Sequence, residues 1–305
     1  MKNVNIIVPC HNEEENIDDF IKAINNLEQV ADFEMIFVDD GSSDNTWQKL
    51  REQEGIVAVK LSRNFGKEAA ILAGITRATG DACIIIDADL QHPPEKIVEM
   101  INIWQKNSVD VVEGIKSNRG RENIIYKIFS KLFYFVMGDL QTQGASDFQL
   151  IDRKVINVIV AMPEKQRFFR ALSKWVGFRR ERVYYEVGER TQGVSKFNFW
   201  SSFRYAVKNI SSFNAYPMQF VTFMGMIFFV LSLILGGITI YQFITNRSLE
   251  GFTTVILLLL IIGSVIMFSL GIIGYYIGKI YEEIKQRPIY LIEEEISPIL
   301  FENLS

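Results

Sequence analysis

The sequence contains few of the residues that build disulfide frameworks or zinc sites. Of its 305 residues, two are cysteine and two are histidine, and Cys10 and Cys83 form no Cys-x-x-Cys pattern. Such sparse cysteine indicates a reducing compartment rather than a disulfide-stapled secreted domain. His11 and His92 stand in no nucleophile or zinc pattern, so we expect both to be structural.

An excess of positive charge is also lacking. The net charge is −4, which gives no general attraction to nucleic acid, and no nucleic-acid partner is predicted. The N-terminal apolar run, residues 4–8, is too short for a signal peptide and is followed closely by three glutamates. Hydrophobic residues make up 49% of the chain, enough for a sizeable core.

Charge is missing altogether from two long stretches near the C-terminus. No charged residue occurs between Lys208 and Arg247 or between Glu250 and Lys279. Each stretch exceeds the roughly 20 apolar residues that are needed to cross a bilayer. We therefore predict transmembrane helices over about 218–241 and 253–277, so that 218–305 forms a membrane hairpin with a C-terminal tail. A buried helical hairpin of a soluble protein is the alternative.

Basic residues flank the outer ends of this hairpin, whereas Arg247 in the intervening loop is offset by Glu250. The flanking residues are Arg204, Lys208, Lys279, Lys285 and Arg287. Because Lys and Arg are enriched on the cytoplasmic side, we predict a multi-pass protein of the cytoplasmic membrane. Its N-terminal domain and its C-terminal tail would face the cytoplasm.

Two amphipathic segments precede the hairpin. Residues 121–138 combine a wide apolar face with Lys127 and Lys131, and residues 199–217 combine aromatic side chains with two basic ones. We predict that both are helices lying in the membrane interface, since the first is too short and too charged to span. An ordinary core helix is the alternative for 121–138.

The first 198 residues alternate apolar strands with amphipathic helices. Strands are predicted over residues 4–9, 33–38, 56–61, 82–86 and 109–113, and the intervening helices carry apolar residues at helical spacing. This alternation predicts an α/β domain with a mainly parallel sheet and helices on both faces.

Oxygen-bearing side chains follow the fourth predicted strand. Asp87, Asp89 and Gln91 occupy alternate positions directly after it. Carboxylate and amide oxygens suit Mg²⁺ or Mn²⁺, and open α/β sheets bind ligands at the carboxyl ends of their strands. The pattern therefore suggests a Mg²⁺ or Mn²⁺ site that could bridge a diphosphate. Helix-capping and turn roles ahead of Pro93 are the alternative.

Three motifs occur in a fixed order at predicted strand ends: residues 8–13 (VPCHNE), 38–44 (VDDGSSD) and 87–91 (DADLQ). In this order they resemble the opening of a family 2 glycosyltransferase with the GT-A fold. That resemblance implies a Rossmann-like catalytic domain at residues 1–198, followed by the interfacial segment 199–217 and the hairpin.

Later segments narrow this resemblance. Residues 62–67 (SRNFGK), 146–150 (SDFQL) and 190–196 (RTQGVSK), together with two C-terminal spans, are similar to the polyprenyl-phosphate glycosyltransferases. This group includes the bactoprenol glucosyltransferases and the dolichol-phosphate mannose synthases. The similarity covers essentially the whole chain. Gln149 departs from it, because an arginine is expected there.

The resemblance implies an enzyme that transfers a sugar, with inversion, from a nucleotide-sugar to a membrane polyprenyl phosphate. The bacterial members imply a UDP-sugar donor and undecaprenyl phosphate, and a lipid-linked monosaccharide for cell-envelope glycosylation. A processive polysaccharide synthase is one alternative, although two spans leave little room for a polymer channel. A non-catalytic membrane scaffold is another, but it would not need the acidic motifs. Assembly into a homo-oligomer is left open.

The resemblance also implies roles for single residues. The nucleotide-sugar would be held by Pro9, Asn12, Glu13, Asp40, Lys67 and Asp87, with Asp40 pairing with the base. Asp147 would lie beside the anomeric carbon and, with Asp89, is assigned to catalysis, either as a base or as a positioning residue. Bringing one phosphate to another requires cations. The candidates, each of which could instead be a solvated surface charge, are Arg119, Arg121, Arg170, Arg190 and Lys196.

Overall fold

The computed structural model describes residues 2–28, 30–107, 109–117, 145–165, 167–186, 216–245 and 251–297. The chain divides into two compact units. The first combines Met1–Arg204 with Pro288–Ser305, and the second is Tyr205–Arg287. The predicted interfacial helices at 121–138 and 199–217 lie outside the described residues, except for the last two residues of the second.

An eight-stranded sheet forms the centre of the first unit. Its strands are β1 Asn3–Cys10, β2 Asp32–Asp39, β3 Val57–Leu61, β4 Ala82–Ile85, β5 Val111–Lys116, β6 Ala145–Asp152, β7 Arg180–Tyr185 and β8 Ile292–Ile296. Their order across the sheet is β7-β5-β6-β4-β1-β2-β3-β8. Strands β1 to β4 are parallel, as are β5 and β7. Strand β6 runs antiparallel between β4 and β5, and β8 runs antiparallel to β3. The sheet is therefore mainly parallel, as predicted.

Helices cover both faces of this sheet. They are α1 Ile17–Asn25, α2 Thr46–Arg51, α3 Lys67–Arg77, α4 Glu95–Asn107, α5 Arg153–Ala161 and α6 Phe169–Trp175. Successive side chains of a strand point to opposite faces. In β1, Ile6 and Val8 accordingly pack in the core beneath α1, α2 and α4, whereas Ile7 packs in the core beneath α3, α5 and α6. Burial on both faces explains why β1 is almost continuously apolar in sequence.

The second unit consists of two long apolar helices, α7 Tyr216–Ile244 and α8 Phe252–Ile284. Within them, Val221–Gln242 and Ile261–Ile284 are long and apolar enough to cross a membrane, and their most apolar windows bury no residue inside the structure. Phe223 is 61% exposed and Met267 is 70% exposed. Apolar surface this extensive marks a contact with lipid or protein, so the hairpin indicates membrane association.

After α8 the chain returns to the sheet of the first unit as β8, a strand that the sequence analysis does not predict. Three consecutive glutamates of β8 meet polar or basic partners. Lys60 Nζ lies 3.1 Å from Glu293, Trp47 Nε1 donates to Glu294 at 3.0 Å, and Arg77 Nε lies 3.0 Å from Glu295. A run of glutamates looks solvated in sequence, and only the pairing with β3 makes it a strand. Charged residues on an edge strand also discourage further strand pairing.

We expect a chain that ends at residue 287 to unfold at a lower temperature than a chain that ends at 297. The shorter chain loses β8, so β3 loses the hydrogen bonds that join it to its antiparallel partner. The midpoint should fall by about 5 °C or more, which corresponds to roughly 2 kcal/mol for a unit of this size. Thermal unfolding of both chains in the same detergent tests this. Equal midpoints would mean that β8 adds nothing to the stability of the sheet.

Candidate active site

A cleft of about 310 Å³ opens where β1, β2 and β4 end. Parallel strands bring their carboxyl ends to one edge of the sheet, so loops that are distant in sequence meet there. The cleft is lined by six of the predicted site residues: Pro9, Glu13, Asp40, Lys67, Asp87 and Asp89. The structure therefore brings the three sequence motifs together.

Asp40 fastens the loop that precedes α3. Its Oδ1 accepts the N–H of Phe65 at 2.7 Å, and its Oδ2 accepts the N–H of Gly66 at 2.9 Å. Burial raises the pKa of Asp40, although these two N–H groups oppose the rise. An ionised carboxylate has about four acceptor sites, so pairing with a nucleobase is compatible with both bonds. That pairing remains a prediction.

Two predicted residues hold loops together instead of lining the cleft. The Oδ1 of Asn12 accepts the N–H of Ser43 at 2.8 Å, and the N–H of Asn12 donates to Ser42 Oγ at 2.9 Å. The N–H of Gln91 donates to Asp89 Oδ1 at 3.1 Å. Asn12 and Gln91 thus shape the loops that carry their neighbours Glu13 and Asp89.

A row of alternating charges lies beside the cleft. Lys67 Nζ lies 2.5 Å from Asp87 Oδ1 and 2.8 Å from Asp147 Oδ2. The guanidinium of Arg170 grips the same Asp147, with Nε donating to Oδ1 at 2.6 Å and Nη2 donating to Oδ2 at 3.2 Å. The row therefore runs Asp87, Lys67, Asp147, Arg170, and it joins residues from four separate elements.

The charges in this row are firmly fixed. Burial by itself would raise the pKa of Asp147, but Lys67 and Arg170 hold that pKa well below its usual range. Burial would lower the pKa of Lys67, but Asp147 and Asp87 raise it well above its usual range. Asp147 is thus ionised at neutral pH. A general base works best with a pKa near the working pH, so this geometry favours a positioning role for Asp147.

The predicted metal ligands fit a hard divalent cation by chemistry, since Asp87, Asp89 and Gln91 offer only oxygen donors of the type that Mg²⁺ and Mn²⁺ prefer. In the part of the chain that the structure describes, no three His, Cys, Asp or Glu side chains form a metal cluster. A site here would therefore combine two carboxylates with an amide and with ligands from a substrate. Leu90, between two of the candidate ligands, has a φ of 55°. This strained conformation is rare for a bulky residue and often marks a functional loop.

Two residues that sequence reasoning did not assign to the site contribute to it. Lys116 ends β5, and its pKa is lowered by burial and by the positive charges of Arg170 and Lys67, so its charge interacts with those of the site. Glu68 follows Lys67 and accepts the N–H of Phe169. In the sequence, the only signal for Lys116 is its position at the end of a buried strand, and the only signal for Glu68 is its position next to the candidate cation Lys67.

Gln149, where the resemblance expects arginine, is fully buried. Its Oε1 accepts from Ser173 Oγ at 2.8 Å, and its Nε2 donates to the carbonyl of Ser146 at 3.2 Å. It therefore links β6 to α6 inside the domain, and it supplies no cation.

Arg170 is the one predicted acceptor-phosphate cation within the described residues. The other candidates lie outside them: Arg119, Arg121, Arg190 and Lys196.

Comparison with known proteins gives two family matches and many relatives. The glycosyl transferase family 2 profile matches residues 5–158, and the profile of the GtrB C-terminal hairpin matches residues 216–280. An uncharacterized glycosyltransferase of Synechocystis sp. is 38% identical, over 95% of this chain and 95% of its own length. A prophage-derived bactoprenol glucosyl transferase of Shigella flexneri is 32% identical, over 95% and 97%. A prophage bactoprenol glucosyl transferase homolog of Escherichia coli is 33% identical, over 95% and 98%.

Gly41 allows the loop after β2 to touch the loop before α3. It has a φ of +62°, and a Cβ there would lie 2.4 Å from the carbonyl carbon of Arg63. Gly55 has a similar φ of +76° but nothing within 4 Å of its Cβ position. Alanine at either position would therefore introduce similar backbone strain, and only alanine at position 41 would also clash with a neighbouring loop.

We expect Gly41→Ala to destabilise the protein more than Gly55→Ala, which should cost about 1–2 kcal/mol from the left-handed conformation alone. The clash should also separate the loops, so that the N–H groups of Phe65 and Gly66 exchange with solvent faster. Thermal unfolding and hydrogen exchange measure both effects. Equal behaviour of the two variants would show that the close approach at Gly41 is unimportant.

Proposed function

Because the chain belongs to glycosyl transferase family 2, we propose that it transfers a sugar from a UDP-sugar to undecaprenyl phosphate with inversion. The product would be a lipid-linked monosaccharide for glycosylation of the cell envelope. The observation that carries this proposal is the row Asp87, Lys67, Asp147 and Arg170 beside the cleft. At one end of the row, Asp87 belongs to the motif proposed to bind the donor diphosphate. At the other end, Arg170 is a cation suited to an acceptor phosphate. The names of the bactoprenol relatives support the lipid acceptor.

The donor would occupy the cleft. Its volume of about 310 Å³ falls at the lower end of the range of small-ligand sites, and Asp40 lies at the end proposed for the base. A Mg²⁺ or Mn²⁺ ion held by Asp87, Asp89 and Gln91 would neutralise the charge that develops on the departing nucleoside diphosphate. Lys67, already at the Asp87 carboxylate, adds a second positive charge at that place.

The acceptor would meet Arg170. A phosphate monoester has a second pKa near 6, so it is largely ionised at neutral pH and needs little help from a general base. What it needs is a cation that lets it approach a negatively charged donor. The planar guanidinium of Arg170 suits this task, and Asp147 would hold it in place. The proposal extends to Arg119, Arg121, Arg190 and Lys196 as further acceptor-phosphate contacts.

Both apolar helices would cross the membrane. The proposal that both ends of the hairpin lie on one side draws support from β8, because that strand pairs with β3 of the same unit that precedes the hairpin. Basic residues at the outer ends favour the cytoplasmic side, where nucleotide-sugars are made. The catalytic domain would then meet both the soluble donor and the lipid headgroup.

We expect the purified protein in detergent to add one sugar to undecaprenyl phosphate from one of four donors: UDP-glucose, UDP-N-acetylglucosamine, UDP-galactose or GDP-mannose. Asp89→Asn should lower turnover at least about 100-fold with the fold intact, since a neutral amide is a poorer ligand than a carboxylate for a divalent ion. EDTA should abolish turnover reversibly. Asp81→Asn is the matched control, because Asp81 lies before β4, where it accepts from the N–H of Asn3.

Each other outcome of this assay has a definite meaning. A polymeric product would identify a processive synthase, and failure of every donor would favour a scaffold. Full turnover in excess chelator would remove the metal from the proposal.

Labelling with a membrane-impermeant thiol reagent tests the topology. A cysteine at Ser248, in the segment that links α7 and α8, should react from outside intact cells, whereas a cysteine at the exposed Glu54 should react only after lysis. Cys10 and Cys83 are both buried, so we expect the unmodified protein to give little background labelling. For the same reason, the native cysteines do not report the topology, and introduced cysteines are needed. Labelling of the opposite pattern would invert the proposed orientation.

A further inference from the structure

Glu68 forms a contact that neither the family resemblance nor the proposed chemistry requires. It lies in the first turn of α3, and its Oε2 accepts the N–H of Phe169 at 2.7 Å, across 101 residues of sequence. Phe169 is the first residue of α6, and the N-cap residue of α6, Phe168, makes no side-chain capping hydrogen bond. The first N–H groups of a helix need acceptors from outside the helix. Glu68 supplies one from another element.

The residue after Phe169 is Arg170, whose guanidinium grips Asp147. Lys67, adjacent to Glu68, holds Asp147 from its other side. Two consecutive residues of α3 therefore close a ring of contacts that contains Lys67, Asp147, Arg170, Phe169 and Glu68. Lys67 binds the carboxylate that Arg170 binds, and Glu68 binds the backbone from which Arg170 projects.

Helix α6 has only seven residues, and a second contact holds its middle. Ser173 is buried, and its Oγ donates to the buried Gln149 of β6. With this anchor in place, loss of the Glu68 contact should loosen the first turn of α6 without releasing the whole helix. Arg170 lies in that first turn.

We propose, resting on the function proposed above, that Glu68 is a positioning residue for the acceptor phosphate. By capping α6 it sets where the Arg170 guanidinium lies, and it acts on the reaction only through Arg170. It does not itself line the donor cleft.

The surroundings of Glu68 support this role. It faces Asp147 from β6, the N–H of Phe169 and the side chain of Arg170 from α6, and Lys67 on its own helix. Burial and the charge of Asp147 raise its pKa from 4.5 to about 7, while the other three oppose the rise. The ionised form is the stronger acceptor, so the cap weakens as the pH falls through about 7.

Ionisation of Glu68 strengthens the cap on α6, but it lowers the stability of the folded state. A carboxyl whose pKa is raised in the folded state destabilises that state once it ionises. The cost of Glu68 is therefore absent below pH 4.5 and complete above about pH 7. Glu68→Gln keeps a neutral acceptor and removes this charge. It should unfold at a temperature equal to or above that of the wild type at pH 8, and yet use the lipid acceptor less well.

The test compares Glu68→Ala, Glu68→Gln and the matched control Asp152→Ala, assayed with undecaprenyl phosphate and the active donor. Asp152 is the N-cap of α5, where it accepts the N–H of Lys154 at 3.0 Å. It lies five residues from Asp147 along β6, roughly 17 Å away at the usual rise per residue of a strand. Its removal costs a helix cap and the acceptor of the Trp104 indole N–H, without touching the ring.

Glu68→Ala should lower kcat/KM for the lipid about tenfold, leave KM for the donor unchanged, and be partly rescued in Glu68→Gln. Asp152→Ala should lower thermal stability and leave kcat/KM for the lipid near the wild-type value. In an Arg170→Ala background, Glu68→Ala should cause no further loss, because residues that act through one another are not additive. The same tenfold loss in that background would overturn the proposal, and so would a parallel loss of donor affinity.

The pH profile provides an independent test if Arg170→Ala is too slow to assay. The acceptor phosphate titrates near 6 in every variant. The quantity to follow is therefore kcat/KM for the lipid in the wild type divided by that in Glu68→Gln. That ratio should fall towards one as the pH drops from 8 to 6. A constant ratio would exclude the role of the ionised carboxylate. If the wild type transfers no sugar at all, it is the proposed function that fails, whereas an active wild type with an equally active Glu68→Ala refutes only the inference.

Discussion

A buried carboxylate between two cations is the interaction on which the site depends. Asp147 is only 5% exposed, and a buried ion is tolerated only when partners replace its lost hydration. Lys67 from α3 and Arg170 from α6 are those partners. Loss of either partner would leave Asp147 with less compensation for its burial. The site therefore assembles when α3 and α6 pack against β6, because that packing brings both cations to Asp147.

The topology of the sheet decides where this carboxylate lies. Strand β6 runs antiparallel to β4, with Gln149 opposite Ile85, so β6 begins at the edge where β4 ends and where Asp87 follows. The alternation of β6 sends Phe148 and Leu150 into the core beneath α4, and Ile151 into the core beneath α3 and α5. By the same period of two, Asp147 and Gln149 point towards α3 and α6. A register shift of one residue would exchange Asp147 for a neighbour and dismantle the site.

Sequence patterns predicted the parts of this structure that depend on local order. The first four strands were predicted to within about two residues because each is a short apolar run, and the family resemblance is confirmed by the matches over residues 5–158 and 216–280. The fifth strand was placed two to three residues early, since Val109 extends the apolar run without belonging to the strand. Strands β6, β7 and β8 were missed because their polar residues find partners only across the fold. The contact of Lys67 with Asp147, and the cap that Glu68 places on α6, depend on the same long-range packing.

The cations of the site differ in how far their charge is compensated. Carboxylates raise the pKa of Lys67, whereas the pKa of Lys116 is lowered by burial and by repulsion from Arg170 and Lys67, which outweigh the attraction of Asp87 and Asp89. An ammonium in that position gains more from an incoming anion than one already paired with a carboxylate. Under the proposed function, phosphates arriving in the site would relieve this repulsion. Lys67 and Arg170 hold Asp147 in place, whereas among the described cations of the site the charge of Lys116 is the less compensated.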